Sequence, residues 1–152
     1  MSIRLSPDEA WSLLDSAHTG IFTTLRSDGF PVALPVWFVT LDRTICIGTP
    51  AGTKKILRVR RDPRASFLVE QGERWAELLA VHVTGRVDIV RDEDVVTQVE
   101  RALDEKYQPF RTPSSAMPEG TRRHYAQRTI LRLHPEGRIL SWDNSRIGLS
   151  ES

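Results

Sequence analysis

One cysteine is all that this chain of 152 residues contains, so an internal disulfide is excluded and a reducing compartment is expected. Cys46 lies in the apolar run Thr44-Ile-Cys-Ile-Gly48, where the expected role is a small buried hydrophobe rather than a nucleophile. No stretch approaches the roughly 20 apolar residues that span a bilayer, and the amino terminus lacks the apolar core of a secretion signal. A soluble, cytoplasmic protein with no membrane partner is the expectation. An excess of one charge is also missing: 21 Lys and Arg stand against 20 Asp and Glu. Bulk electrostatics therefore makes no case for nucleic acid, and basic residues matter only where they cluster. There is no full P-loop, and no Ser, Cys or His arrangement supports nucleophilic catalysis. His18, His82, His124 and His134 are scattered with no Cys or carboxylate cluster around them, so no metal site is expected. Neither a repeat nor a linker interrupts the chain, which reads as one domain over residues 1–152.

What is present clusters between Gly48 and Arg64. This stretch holds Lys54, Lys55, Arg58, Arg60, Arg61 and Arg64 against the single acid Asp62. It follows a strand, turns through Pro50 and Gly52, and opens a helix on two lysines. A helix N-terminus offers unpaired N–H groups and partial positive charge, so lysines there form an anion site suited to phosphate. A solvated basic helix face is the alternative.

Local signals divide the rest. Ser6-Pro-Asp-Glu9 predicts a capped helix start, and Ala10, Leu13, Leu14 and Ala17 continue it until Gly20 stops it. Ile21–Leu25 predicts a strand, turning at Arg26-Ser-Asp-Gly29 into a second, nearly all-apolar strand from Pro31 to Leu41. That run should be covered on both faces, and Pro35 within it demands an edge or a bulge. Strands follow at Thr44–Gly48, Ala65–Val69 and Leu78–Val90, with the basic helix over 53–60 between the first two. A helix over 93–107 carries Val95, Val99, Ala102 and Leu103 on one stripe. Residues 108–120 read as a loop and 121–127 as a short helix. Arg128–Leu133 reads as a strand with Arg138–Trp142 as its hairpin partner, and 144–152 as a polar tail. The fold expected is mainly β: a six- to seven-stranded antiparallel barrel with peripheral helices, its apolar second strand covered by a second subunit.

The order and spacing of several motifs now matter together. They are Thr24-Leu-Arg-Ser-Asp-Gly-Phe-Pro31, Pro35-Val-Trp-Phe38, Lys54-Lys55 with Arg60-Arg-Asp-Pro-Arg64, Val83-Thr-Gly-Arg86 and Ser141-Trp-Asp143. In these the chain resembles the pyridoxamine 5′-phosphate oxidase-like split β-barrels, in particular the flavin- and deazaflavin-dependent oxidoreductases common in actinobacteria. The resemblance runs from Gly20 to about Gly148. It implies a homodimer with the cofactor across the interface. The isoalloxazine or deazaflavin ring would lie along Leu34, Pro35, Val36, Trp37 and Phe38, and Gly48, Thr49, Lys54 and Lys55 would hold the phosphate. A partner subunit would contribute from around Ala80 and Trp142, with Arg146 a further anion contact.

Two departures bear on chemistry. Phe38 stands where phosphate oxidases present a lysine, so oxidation of vitamin B6 is not expected. Thr53 stands where some deazaflavin binders carry arginine, and the lysine pair is FMN-like. Arg58 and Arg61 nonetheless extend the basic helix in the direction an anionic tail would follow. The resemblance thus implies an oxidoreductase using the deazaflavin coenzyme F-420, or alternatively FMN, on a small conjugated acceptor. Catalytic side chains are not required, because such a cofactor carries the hydride chemistry. The alternative is a non-catalytic carrier of a flavin, deazaflavin or tetrapyrrole.

Overall fold

A computed structural model of the protein describes residues 2–148. Helix α1 (Pro7–Ser16) starts as the sequence predicts. Ser6 Oγ accepts the Glu9 N–H and the Glu9 carboxylate accepts the Ser6 N–H, closing the capping box. Ala10, Trp11 and Leu14 face the core. The helix ends at Ser16, however, and Gly20 opens strand β1 (Gly20–Leu25) instead of stopping it. Gly20 is required for packing, because a Cβ there would overlap the Phe67 ring.

The run from Pro31 to Leu41 is two strands, β2 (Pro31–Val36) and β3 (Val39–Leu41), broken at Trp37–Phe38. β2 forms the hairpin with β1, turning through Gly29 at φ +87°, and lies at the edge of the sheet. That edge position accommodates Pro35, which has no N–H to donate. It also leaves β2 mostly exposed within the single chain. β4 (Thr44–Pro50) follows a tight turn with Asp42 and Arg43 both at positive φ. Helix α2 (Lys54–Arg61) leads to β5 (Arg64–Gln71) and β6 (Leu79–Ile89). Then come α3 (Glu93–Tyr107), α4 (Glu119–His124), β7 (Arg128–Pro135) and β8 (Leu140–Asp143).

All pairings between these eight strands are antiparallel, in the order β2-β1-β5-β6-β7-β4-β3. β8 pairs with β6 alongside Leu79–His82, not with β7 as a hairpin. β7 leaves β6 beyond Gly85, so β8 takes the free edge of the remainder. The result is an open, split barrel. Its interior is filled by Phe22, Phe38, Ile45, Ile47, Phe67, Val81, Val83 and Leu133, with α1 and α2 contributing Leu14, Ile56 and Val59. A second cluster outside the barrel packs Val99, Leu103 and Tyr107 of α3 on Cys46 and Ile130. Burial raises the Cys46 thiol pKa, in keeping with a small core hydrophobe. Residues 108–120, expected as plain loop, contain two short 3₁₀ turns, and the expected tail begins with a turn at Asn144–Arg146 that docks Asn144 Nδ2 on the Trp75 carbonyl. The remainder of that tail, 149–152, lies outside the described residues.

The break between β2 and β3 is held by Tyr107. Its hydroxyl accepts the Phe38 N–H at 2.9 Å and lies 2.7 Å from the His18 carbonyl and 2.9 Å from the Phe38 carbonyl. Its ring stacks on Trp37 at 4.4 Å, nearly parallel. Replacing Tyr107 by Phe keeps the stack but strands a buried donor, so Tyr107→Phe should cost about 1–3 kcal/mol. Urea unfolding measures this, and a loss under about 0.5 kcal/mol would show that the hydroxyl does not carry the break.

Candidate functional site

Helix α2 lays Ile56 and Val59 into the barrel and turns its basic residues outward. Its N-terminus lacks a side-chain cap. Thr53 Oγ1 bonds Thr49 Oγ1 at 3.0 Å instead, leaving the first helical N–H groups without a side-chain acceptor. Lys54 is exposed and Lys55 half-buried beside them. Arg58 Nε donates to Thr24 Oγ1 at 2.7 Å, and an Arg61 guanidinium N–H donates to the Leu25 carbonyl at 3.2 Å, bringing both toward Arg26 of the hairpin turn. Burial, and then the neighbouring Arg58, lower the pKa of Lys55. Burial, and then Arg26 and Arg61, do the same to Arg58. Among the described residues, Arg26, Lys54, Lys55, Arg58 and Arg61 have no carboxylate partner. The ridge therefore concentrates positive charge beside uncapped helical N–H groups.

The remaining sequence-predicted residues are spread over several parts of the fold. Gly48 and Trp37 line a cleft outside the barrel, while Thr49, between Gly48 and Pro50, points to the opposite side and meets Thr53. Leu34 and Pro35 are exposed on the edge strand. Ala80 and Trp142 are cross-strand neighbours in this chain, with Trp142 37% exposed. Phe38 lies in the core: its side chain is fully buried against Phe67, and its N–H and carbonyl are taken by Tyr107 and Lys106. Its place is the core, since the strand breaks there and turns the ring inward. Val36 is likewise buried. Arg146 is committed elsewhere, to Glu9, Asp143 and the Arg4 carbonyl.

Register places Pro35, Ile21, Leu68, His82 and Leu140 in a row across five strands. Side chains directly opposite in a ladder share a face, so this row forms one continuous outer surface. Pro35 and Leu140 are exposed, the other three are half-buried, and His82 Nδ1 is buried without a hydrogen-bond partner.

The sequence profile of pyridoxamine 5′-phosphate oxidase matches residues 6–139. The chain belongs to this family. Among solved structures, a conserved hypothetical protein from Mycobacterium tuberculosis is 28% identical over 99% of this chain and 92% of its own, with a TM-score of 0.83. An FAD-binding protein from Mycobacterium smegmatis is 24% identical over 90% of this chain and 95% of its own, with a TM-score of 0.65. An F420 reductase is 23% identical over 89% of this chain and 98% of its own, with a TM-score of 0.66. No curated protein matches. The latter two structures share the split-barrel fold with this member of the family.

Sequence reasoning missed Lys106 and Tyr107 as the clamp on the second strand. Tyr107 continues the Val99–Leu103 stripe at a spacing of four, which was the available signal. The Lys106 ammonium donates to the Phe38 carbonyl at 2.9 Å and lies 4.0 Å from the Phe38 ring centroid. Burial lowers its pKa from 10.5 to about 8, with Asp15 opposing weakly. Between those values the unfolded chain holds a proton that the folded chain has released, so stability contributed by this group rises with pH across that window. Relative to a Lys106→Met variant, the parent should gain stability from about pH 8 to pH 10. Urea unfolding across that range would contradict the shifted lysine if the difference between the two proteins stayed flat or fell.

Proposed function

We propose that the protein is a homodimeric oxidoreductase that uses a deazaflavin of the coenzyme F-420 type, with FMN as the alternative, to pass hydride to a small conjugated acceptor. The carrying observation is the ridge at the head of α2: a helix N-terminus without a side-chain cap, two lysines on it, and no acid paired with them among the described residues. Such a surface fits the phosphate arm of either coenzyme. Lys54, Lys55 and the free N–H groups would take the phosphate, with Thr49 orienting Thr53 behind them. Arg58, Arg61 and Arg26 extend the positive surface toward β1, which suits the additional carboxylates of the deazaflavin tail. The exposed backbone edge at Leu34 and Pro35 would support the ring. The coenzyme would supply the hydride chemistry, and the chain would bind, orient and shield it.

The outer row from Pro35 to Leu140 supports the homodimer. It is a sheet face rich in apolar residues that a second copy would cover, and it would bring a partner's Ala80 and Trp142 region over the site.

Two measurements test this reading. Titration of the apo-protein with coenzyme F-420 and with FMN should show saturable binding of at least one. Losing both Lys54 and Lys55 to Ala should weaken it by about 1.5–3 kcal/mol or more. Parental affinity in the double variant would overturn the assignment of the anion site, and at least tenfold tighter FMN binding would transfer the reading to FMN. For the assembly, Leu140→Glu puts a charge at the end of the proposed interface. Sedimentation should show a dimer for the parent and a shift toward monomer for this variant, and a monomeric parent would refute the dimer.

A further inference from the structure

An open cleft of about 1070 Å³ lies outside the barrel, between α3, β4 and the 108–127 segment. That volume holds a ligand of two or more rings. Trp37 lines it with one face backed by Tyr107, and Phe110 and Tyr125, 60% and 52% exposed, stand around it. Large aromatic side chains left in water around a concavity mark a binding surface for an aromatic body.

Its charge is one-sided. Arg111, Arg122 and Arg128 all line the cavity. Asp104 is the acid that meets two of them, 3.0 Å from Arg111 and 3.6 Å from Arg128. Arg122 has no carboxylate partner among the described residues. Arg111 Nε is buried with no hydrogen-bond partner, although its terminal nitrogen is engaged by Asp104. A buried donor left unpaired is costly and marks where an acceptor is missing. The guanidinium of Arg111 also lies 6.0 Å from the Trp37 ring centroid, so cation and ring address the same volume.

We propose that this cleft is a binding site for an aromatic carboxylate, with the ring system against Trp37 and the carboxylate on Arg111, Arg128 and Arg122. Planar guanidinium groups match a carboxylate in paired hydrogen bonds, and two of them sharing one acid retain net positive charge for a second. The site is separate from the α2 ridge: Gly48 and Pro50 of β4 face the cleft, whereas Thr49 between them faces the head of α2. Occupation therefore does not require a bound coenzyme and goes beyond the proposed oxidoreductase activity.

The test uses the full-length apo-protein and 2-naphthoate, with methyl 2-naphthoate as the uncharged counterpart. Tryptophan fluorescence and calorimetry should report saturable binding of the acid, at least tenfold tighter than the ester. Arg111→Gln should lose at least tenfold and the exposed Arg122→Gln at least threefold, while Arg74→Gln, on the far turn, keeps parental affinity. The fluorescence response should vanish in Trp37→Phe. Because Arg122 is exposed on α4, its variant remains informative even if Arg111→Gln destabilises the fold. Equal affinity for acid and ester, parental affinity in Arg122→Gln, or absence of saturable binding would overturn the proposal. So would a response that survives in Trp37→Phe and disappears in Trp142→Phe, since the ring would then lie on the sheet face.

Discussion

The hydroxyl of Tyr107 bonded to the backbone of Phe38 is the constraint on which the arrangement depends. A continuous apolar strand from Pro31 to Leu41 would put Trp37 and Phe38 on opposite faces of one ladder, with their backbone groups committed to neighbouring strands. The break at 37–38 takes those groups out of the ladder, and a buried N–H and C=O need other partners. Tyr107 and Lys106 supply them from the end of α3. Phe38 can then fill the barrel while Trp37 turns outward to the cleft. One side chain thus satisfies the backbone at a break in a sequence that reads as a single hydrophobic run.

Two basic surfaces result, and they share strand β4. Alternation along that strand sends Thr49 toward the head of α2 and its neighbours Gly48 and Pro50 toward the cleft under α3. The α2 ridge is built from local sequence, with lysines and arginines on one short helix. The cleft is built from long-range packing, since Arg111 follows α3 and Arg128 opens β7. In both, like charges are held close with too few acids. This lowers the pKa of Lys55 and of Arg58, with burial the larger cause and the neighbouring cations the lesser one. The protein carries this strain against a fold whose apolar core is continuous through the barrel.

Local chemistry determined a good deal from the sequence alone. The Ser6–Glu9 capping box, the Asp28-Gly29 turn, the span of α3 and the basic start of α2 rest on neighbouring residues and were legible without coordinates. So was the family, because its motifs are short and ordered along the chain. The tertiary structure decided what depends on distant partners. Gly20 reads as a helix stop until Phe67 is seen against it. β8 reads as the hairpin partner of β7, but β7 turns away beyond Gly85 and leaves the edge of β6 open. Phe38 reads as one more strand residue until Tyr107, 69 residues later, takes its backbone and Phe67 packs on its ring. Pairing and burial are set by which surfaces remain free after the nearer contacts form, and no local pattern encodes that remainder.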